Sequence, residues 1–230
     1  MAKISLIQPD TLRQKVEDAV RQAITSGVYA PGERLIEREL CEGLGVSRAS
    51  VREALRRLEA EKLVQIVPHR GPVVAAISVE EARQLYALRA VLEGYAAREF
   101  AGKASDAAVE DFAQAARSLR EAAATGETER VLQAKSRLYD VMLGQCGNDL
   151  VWEILRGMHS RINLLRATSL MHPDRLPLSL AEIDGLTEAF RRRDGAGAEA
   201  LANLHVTNAC EVALTQLRQR EGQGHRSAAR

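Results

Sequence analysis

Aromatic residues, cysteine and long apolar runs are all scarce in this chain of 230 residues. Only 3% of the residues are aromatic, which disfavours a large sheet because strands draw on aromatic and β-branched side chains. No window approaches the roughly 18 apolar residues of a membrane span, and the start MAKISLIQPD lacks the basic and apolar segments of a secretory signal. We therefore expect a mainly helical protein that is neither exported nor inserted in a membrane.

The three cysteines, Cys41, Cys146 and Cys210, are odd in number and widely spaced, and none has a second cysteine or a histidine at metal-ligand spacing. This pattern predicts reduced core residues in a cytoplasmic protein. The formal net charge of +1 neither favours nor excludes nucleic acid, so the distribution of charge along the chain has to identify a partner. With 46% apolar residues, the chain can build two small domains.

Residues 1–77 carry the pattern of three helices followed by a hairpin. Apolar residues at helical spacing predict a first helix, and Ile36, Leu40 and Leu44 predict a short second one that ends at a glycine turn. Ser47 is placed to cap a third helix. Residues 64–77, VQIVPHRGPVVAAI, have β-branched runs on both sides of a proline and glycine turn, and this predicts the one clear strand pair.

The pattern changes after residue 77 and becomes helical throughout. Ser78 and Glu81 have capping-box spacing ahead of a long helix. Short glycine and proline breaks then separate further predicted helices at 105–124, 128–146, 149–170, 179–193 and 195–220. Short connections of this kind predict an antiparallel bundle over residues 78–220, and the tail 221–230 is expected to be disordered.

A basic ridge in the third helix is the sharpest functional signal. Arg48, Arg52 and Arg56 recur every four residues, opposite the apolar face of Val51, Leu55 and Leu58. Such a ridge fits the major groove of DNA, where arginine pairs bidentately with guanine. Ser47 and Ser50 add hydroxyls near the helix start, Arg34 lies just before the second helix, and the tip of the hairpin carries His69 and Arg70. Any surface helix can carry arginines, but this one follows a glycine turn and precedes a wing-like hairpin.

The first 77 residues resemble the GntR family of bacterial regulators through the run GVYAPGERLIERELCEGLGVSRASVREALRRLEAEKLVQIVPHRGPVV. The resemblance implies a winged helix-turn-helix in which Arg34, Arg48, Arg52 and Gly71 contact DNA, assisted by Ser47, Ser50, His69 and Arg70. The family usually has glycine where Lys62 stands, so we expect the turn between the third helix and the first strand to be built differently.

Residues 78–220 resemble the helical ligand-binding domain of the FadR-like subgroup through LYALRAVLE, GQCGNDL and RATSLMHPDRLPLSLAEI. Many members of that subgroup bind a divalent metal through an aspartate and three histidines. The matching positions here hold Lys135, Tyr139 and the Glu182-Ile183 pair, and only His205 remains as a ligand. Because a lysine ammonium raises the cost of a second cation, we expect no metal and no other cofactor.

The resemblance places Arg89, Lys135, Tyr139, Arg166 and His205 around the effector cavity. We expect the three basic residues to hold an anion such as a carboxylate or phosphate. Alternatively, Arg89 pairs with Glu93 and Lys135 with a surface acid, as ordinary helix charges. His205 is either an effector contact or a core histidine that satisfies a neighbour.

Three functions follow as hypotheses. In the first, a homodimer binds an inverted-repeat DNA operator, and a small-molecule effector changes the spacing of the two DNA-binding heads, most commonly relieving repression. In the second the helical domain is an enzyme, but no nucleophile elbow, phosphate loop or Cys/His pair supports it. In the third the protein is an architectural DNA binder or a corepressor without an effector, and the helical domain serves only to form the dimer.

Overall fold

The computed structural model describes residues 12–170, 172 and 174–228. They belong to two compact units, one ending at Ala76 and the other beginning at Ile77. Ten helices and one two-stranded sheet occur within the described residues, which confirms the predicted mainly helical class. No helix in this part of the chain is both long and apolar enough to cross a bilayer.

The first unit is a helix-turn-helix followed by a hairpin. Its elements are α1 (Leu12–Thr25), α2 (Glu37–Leu44), α3 (Arg48–Ala60), β1 (Val64–Val67) and β2 (Gly71–Val74). The predicted apolar faces of the first and third helices are buried: α1 contributes Val20 and Ile24, and α3 contributes Val51 and Leu58. Of the residues predicted for the second helix, only Leu40 is buried, while Ile36 and Leu44 are exposed. These faces pack α1 against α3 and α2 against α3, so the opposite face of α3 remains exposed.

The turn between α2 and α3 is set by local chemistry. Gly45 ends α2 in the left-handed conformation, with φ 65°, which glycine adopts without steric cost. Ser47 then caps α3 because its hydroxyl accepts a hydrogen bond from the Ser50 N–H at 3.2 Å. Together the two residues fix where α3 starts.

The hairpin is antiparallel, with Val64 opposite Val74 and Val67 opposite Gly71. The segment before α2 pairs with its edge, since Arg34 bridges to Val73 and the Leu35 N–H donates to the Pro72 carbonyl at 2.9 Å. The wing is therefore tied to the chain that leads into the helix-turn-helix.

Lys62 corrects an expectation. Its φ is 58°, so it adopts the left-handed conformation that suits a glycine. The turn between α3 and β1 thus keeps a glycine-like backbone, and Lys62 is strained there because its Cβ approaches the following carbonyl oxygen. We had expected the turn to be built differently.

The second unit is a helical bundle. Its elements are α4 (Val79–Lys103), α5 (Asp106–Thr125), α6 (Thr128–Gly144), α7 (Asp149–Gly157), α8 (His159–Leu170), α9 (Arg175–Arg191) and α10 (Gly195–Ala228). The long helices α4 and α10 pack along each other, α5 packs on α6 and α9, and α9 packs on α10. The chain has three phenylalanines, and all of them meet in one cluster, Phe100, Phe112 and Phe190, with centroids 4.7 to 5.9 Å apart.

Three element bounds differ from those predicted. The helix expected over 149–170 is interrupted at Met158, directly after Gly157, whose flexible backbone weakens a helix interior. Helix α9 starts at Arg175 and not at 179, because Pro177 falls in its first turn, where a missing N–H has no consequence. Helix α10 continues to Ala228, through most of the segment expected to be disordered, since an established helix adds residues more easily than a new one forms.

Candidate nucleic-acid interface and polar core

The arginine ridge of α3 lies on the surface of the first unit. Arg48, Arg52 and Arg56 are exposed, while Val51 and Leu55, on the side that packs on the rest of the unit, are buried. The helix therefore presents three guanidinium groups at one-turn intervals along one solvent-facing side. Guanidinium groups in this arrangement can bind phosphates and the edges of guanine.

Ser47 and Ser50 lie together at the start of α3. Their hydroxyl oxygens are 3.0 Å apart, and both hydroxyls belong to the first turn, where backbone N–H groups lack carbonyl partners. A helix N-terminus of this kind favours an anion. The two serines are thus placed beside the ridge, with Ser47 also committed to its capping role.

Arg52 is held by a residue that the sequence did not single out. Its Nε donates to both carboxylate oxygens of Glu37, at 2.9 and 3.1 Å. Glu37 stands in the first turn of α2, while 61% of the Arg52 side chain stays exposed. The ion pair orients the guanidinium across the α2–α3 turn without burying it.

The remaining predicted contacts of the first unit lie around the hairpin. Arg34, His69 and Arg70 are exposed, and the Arg70 Nη2 donates to the Gly32 carbonyl at 3.0 Å. His69 and Gly71 both have positive φ, 62° and 83°, which makes the tip a tight turn. The wing thus carries a guanidinium tied to its base and an imidazole at its tip.

The second unit contains a cluster of buried polar side chains, here called the polar core. It comprises Arg89 and Glu93 of α4, Lys135 and Tyr139 of α6, Arg166 of α8, Arg175, Ser179 and Glu182 of α9, and His205 of α10. All five residues that the sequence places at the effector cavity belong to it. Arg175 was missed because it lies between Pro173 and Pro177, in a stretch that was predicted as loop.

Arg89 and Glu93 form a buried ion pair one helical turn apart. The Arg89 Nε donates to Glu93 Oε1 at 2.8 Å, while the Arg89 Nη1 has no hydrogen-bond partner among the described residues. The alternative hypothesis, in which Arg89 pairs with Glu93, is therefore correct as to the partner. The ion pair is buried, however, and not a solvated helix pair.

Arg166 has no such carboxylate. Its guanidinium carbon lies 4.1 Å from the centroid of the Tyr139 ring, and its Nη1 donates to the Asn163 side chain at 3.0 Å. The Nε is buried and has no hydrogen-bond partner in the described part of the chain. Arg166 is a buried cation that stacks on an aromatic ring and retains a free donor.

His205 belongs to a second buried network, centred on Glu182. One oxygen of Glu182 lies 2.5 Å from His205 Nδ1 and 2.8 Å from Arg175 Nη2, and the other accepts a hydrogen bond from Asn208. Although burial raises it, these hydrogen bonds lower the pKa of Glu182 to about 2. The carboxylate is therefore ionised and is used fully within the network.

His205 is neutral in this setting. Burial first, and then the positive charge of Lys135, lowers the pKa of its imidazole to about 3, even though Glu182 opposes the shift. Since Nδ1 faces the Glu182 carboxylate, its proton lies there and Nε2 carries the lone pair. That Nε2 is buried without a hydrogen-bond partner among the described residues.

One hypothesis was that Lys135 pairs with a surface acid. In the part of the chain that the structure describes, Lys135 is buried and makes no such pair. Its Nζ donates to the Ser179 hydroxyl at 2.8 Å, and within the described residues it has no ion pair with a carboxylate. Burial, followed by the charges of Arg166, Arg175 and Arg89, lowers the pKa of Lys135 well below its ordinary value. An anion bound nearby would oppose this shift and favour the charged amine.

The residues present do not fit a divalent metal. Lys135 would bring a positive charge to the site, and Glu182 already accepts hydrogen bonds from three side chains. No group of three or more histidine, cysteine, aspartate or glutamate side chains within the described ranges is arranged to hold an ion. We therefore derive no role for a metal.

Positive charge exceeds negative charge in the polar core. It contains three guanidinium groups and one lysine amine but only two carboxylates, Glu93 and Glu182. Even if Lys135 is neutral, one guanidinium charge remains uncompensated. An unpaired buried charge is expensive, so the arrangement favours a bound anion.

Two family profiles match the chain. Residues 12–74 match the family described as bacterial regulatory proteins, gntR family, and residues 84–208 match the FCD domain. The first match covers the helix-turn-helix and hairpin, and the second covers most of the helical bundle.

Individual relatives agree with these matches. The chain is 24% identical over 208 residues to the HTH-type transcriptional repressor RspR of Escherichia coli K12, covering 90% of this chain and 91% of that protein. It is 39% identical over 83 residues to an HTH-type transcriptional regulator in the TAR-I ttuE-ttuC' intergenic region of Agrobacterium vitis, covering 36% of this chain and 48% of that protein. The solved structure of E. coli McbR/YncC has the same fold, with a TM-score of 0.78 at 19% identity over 90% of this chain and 98% of that one.

Proposed function

Because the chain belongs to the GntR family of bacterial regulatory proteins and carries an FCD domain, we propose that it is a cytoplasmic repressor controlled by a small organic anion. It binds an inverted-repeat operator as a homodimer and releases the operator when the anion binds. The family and its relatives are transcription regulators and not enzymes. The observation that carries the effector half is the surplus of buried positive charge in the polar core.

The α3 ridge supports the DNA-binding half. In this proposal α3 enters the major groove, where Arg48 and Arg52 pair with bases and the helix start contacts phosphate. Glu37 keeps the Arg52 guanidinium oriented before DNA arrives, which reduces the entropy lost on binding. Arg34, His69 and Arg70 lie at the hairpin and its edge, where they would contact the DNA backbone or the adjacent minor groove of the DNA.

The outer face of α4 supports the homodimer. Leu88 and Val91 are 43% and 68% exposed and lie on the side of the helix away from the buried Arg89 and Glu93. A helix that buries one face and leaves large apolar side chains exposed on the other favours a second protein surface. A second copy fits best, since a palindromic operator needs two heads.

The DNA-binding half is tested by selecting operator sequences from a random DNA pool and measuring affinity by gel shift. Arg52→Ala should cost about 1–3 kcal/mol of binding free energy and relax the base preference at one position. The matched control is Arg57→Ala, because Arg57 is also exposed on α3 but faces Glu17 of α1, and it should leave affinity unchanged. Failure to select any sequence at low salt would contradict operator binding.

The effector half is tested by thermal shift across a panel of carboxylic and phosphorylated acids. A specific ligand raises the melting temperature by mass action, and the same compound should release the operator in the gel shift. Lys135→Ala should weaken both effects, because the variant has no amine beside the bound anion. Silence across the panel with intact operator binding would favour a corepressor without an effector.

A further inference from the structure

A small cleft leads from the surface of the second unit towards the polar core. It lies between α6, α7 and α8 and is lined by exposed side chains, such as Arg156, and by buried ones, such as Arg166 and Tyr139. Trp152, the single tryptophan of the chain, lines it as well, and the Arg156 guanidinium lies 4.7 Å from the centroid of the indole ring. The cleft therefore gives a path to Arg166 from outside.

One wall of this cleft is apolar. Leu143, Leu155 and Ile162 are buried along it, and Trp152 is half-buried beside them. Burying a small hydrocarbon group against such a wall is favourable at roughly 25 cal/mol per Å² of apolar surface. The wall thus favours a ligand with a compact apolar body.

The inner end of the cleft is cationic. Arg166 is 4% exposed, pairs with no carboxylate within the described residues, and keeps a buried Nε without a hydrogen-bond partner. An Arg Nε and the adjacent amino group form a two-donor edge that matches a carboxylate. A carboxylate placed there would satisfy the free donor and compensate the charge at once.

We propose that this cleft binds the effector, and that the effector is a monocarboxylic acid with a compact apolar body. Its carboxylate pairs with Arg166, and its body packs on Leu155 and Ile162 beneath Trp152. This inference rests on the proposed function, and it deepens that function by naming the ligand class and its point of entry.

The same cleft disfavours a second carboxylate on the ligand. Glu93 and Asp140 also line it. Arg166 compensates the charge of one ligand carboxylate, whereas a second one would meet these negative charges without a buried guanidinium to offset them. A second carboxylate would in addition lose its hydration against the apolar wall. Selection of monocarboxylates over dicarboxylates follows from both effects.

The experiment uses the full chain and isovalerate as the probe, with Trp152 fluorescence and calorimetry as readouts. Three compounds isolate the contributions of charge and body: 3-methyl-1-butanol has the body without the charge, acetate the charge without the body, and succinate a second charge. Isovalerate should bind saturably, and each of the other three at least about tenfold more weakly.

Variants locate the ligand. Arg166→Lys keeps the charge but loses the two-donor edge, and it should weaken isovalerate at least about tenfold. Trp152→Phe, at a half-buried position, tests the body independently by thermal shift if the arginine variant folds poorly. The matched control Arg130→Gln changes an exposed arginine that pairs with Glu127 on the surface of α6, and it should change nothing.

Two outcomes would overturn the cleft site. One is isovalerate binding no tighter than the alcohol or acetate. The other is succinate binding more tightly, with sensitivity to Lys135→Ala but not to Arg166→Lys, which would place the effector in the polar core alone. In both cases operator release by another anion would leave the proposed function standing, whereas absence of any DNA binding would overturn the function itself.

Discussion

The arginines of the α3 ridge and those of the polar core are equal in number but differ in environment. In the first unit Arg48, Arg52 and Arg56 stand in solvent along one face of α3, whereas Arg89, Arg166 and Arg175 of the second unit are at most 4% exposed. Exposed guanidinium groups keep their hydration and give it up only to a partner with many phosphates. Buried ones have lost their water on folding, so any unpaired donor or charge favours a ligand that supplies the missing partner.

In the proposed function, arginine therefore serves two kinds of recognition. The ridge of α3 suits a large polyanion, whose binding depends on salt. The polar core suits a single small anion, because a low-dielectric site strengthens each charge interaction. Removing equivalent carboxylates from the two regions should therefore have unequal effects.

Glu93→Gln is the strongest test of this comparison. It leaves Arg89 buried without its counter-charge, so the free energy of unfolding of the second unit should fall by about 3–5 kcal/mol. Urea unfolding followed by Trp152 fluorescence measures this directly, because the only tryptophan lies in that unit. The matched change Glu37→Gln removes the partner of the exposed Arg52 and should cost at most about 1 kcal/mol, followed by circular dichroism. Equal costs for the two variants would break the comparison.

The pH dependence of stability should reveal the neutral His205. The pKa of the His205 imidazole is about 3 in the folded protein and about 6.5 in the unfolded chain. Between these two pH values the unfolded state therefore binds one more proton than the folded state. The stabilisation is complete above about pH 6.5 and is lost as the pH falls, by at most about 1.4 kcal/mol per unit. Lys135, Arg175 and Glu182 surround the imidazole. The lowered pKa of Glu182 also makes stability fall with pH, but only below about pH 4.5.

Unfolding titrations between pH 7 and pH 5 on paired variants isolate this contribution. In His205→Gln, the free energy of unfolding of the second unit should depend less steeply on pH than in the parent protein. His69→Gln, at the exposed tip of the hairpin, should leave this dependence unchanged. A slope that survives in His205→Gln would assign the proton uptake to another group, such as Lys135.

Lys62→Gly should give the smallest effect and the opposite sign. Relief of the left-handed strain at φ 58° outweighs the greater freedom of glycine in the unfolded chain, so the first unit should gain about 0.5–1 kcal/mol. Lys62→Ala should bring no gain, since alanine has the same steric conflict, and thermal unfolding by circular dichroism compares the two. Stabilisation by both variants would point to the lysine charge as the cause.

Much of the first unit could be predicted from the sequence because its signals are local. The apolar spacing of α1 and α3, the glycine at 45 and the cap at Ser47 each act within a few residues. By contrast, two features of the second unit could not be predicted: the interruption of the 149–170 helix at Met158 and the early start of α9 at Arg175. Both depend on whether a single Gly or Pro is tolerated by the packing around it.

The candidate effector site was predicted only in part. Resemblance placed Arg89, Lys135, Tyr139, Arg166 and His205 together, but no sequence pattern indicated that Arg175 joins them. Nor did any pattern show that Glu182 would bind Arg175 and His205 at once, because these residues lie on α9 and α10 and meet only when the two helices pack.

The amino-acid order by itself determined the helices of the first unit, the hairpin and the row of arginines on α3, since periodicity and capping are encoded within one or two turns of chain. Only the tertiary structure decided which charges of the second unit lose their water and which carboxylates compensate them. The polar core draws its side chains from five helices, and burial, the shifted pKa of His205 and the free donor of Arg166 all arise from the packing of those helices. Desolvation is a property of the assembled surroundings, and no single segment contains it.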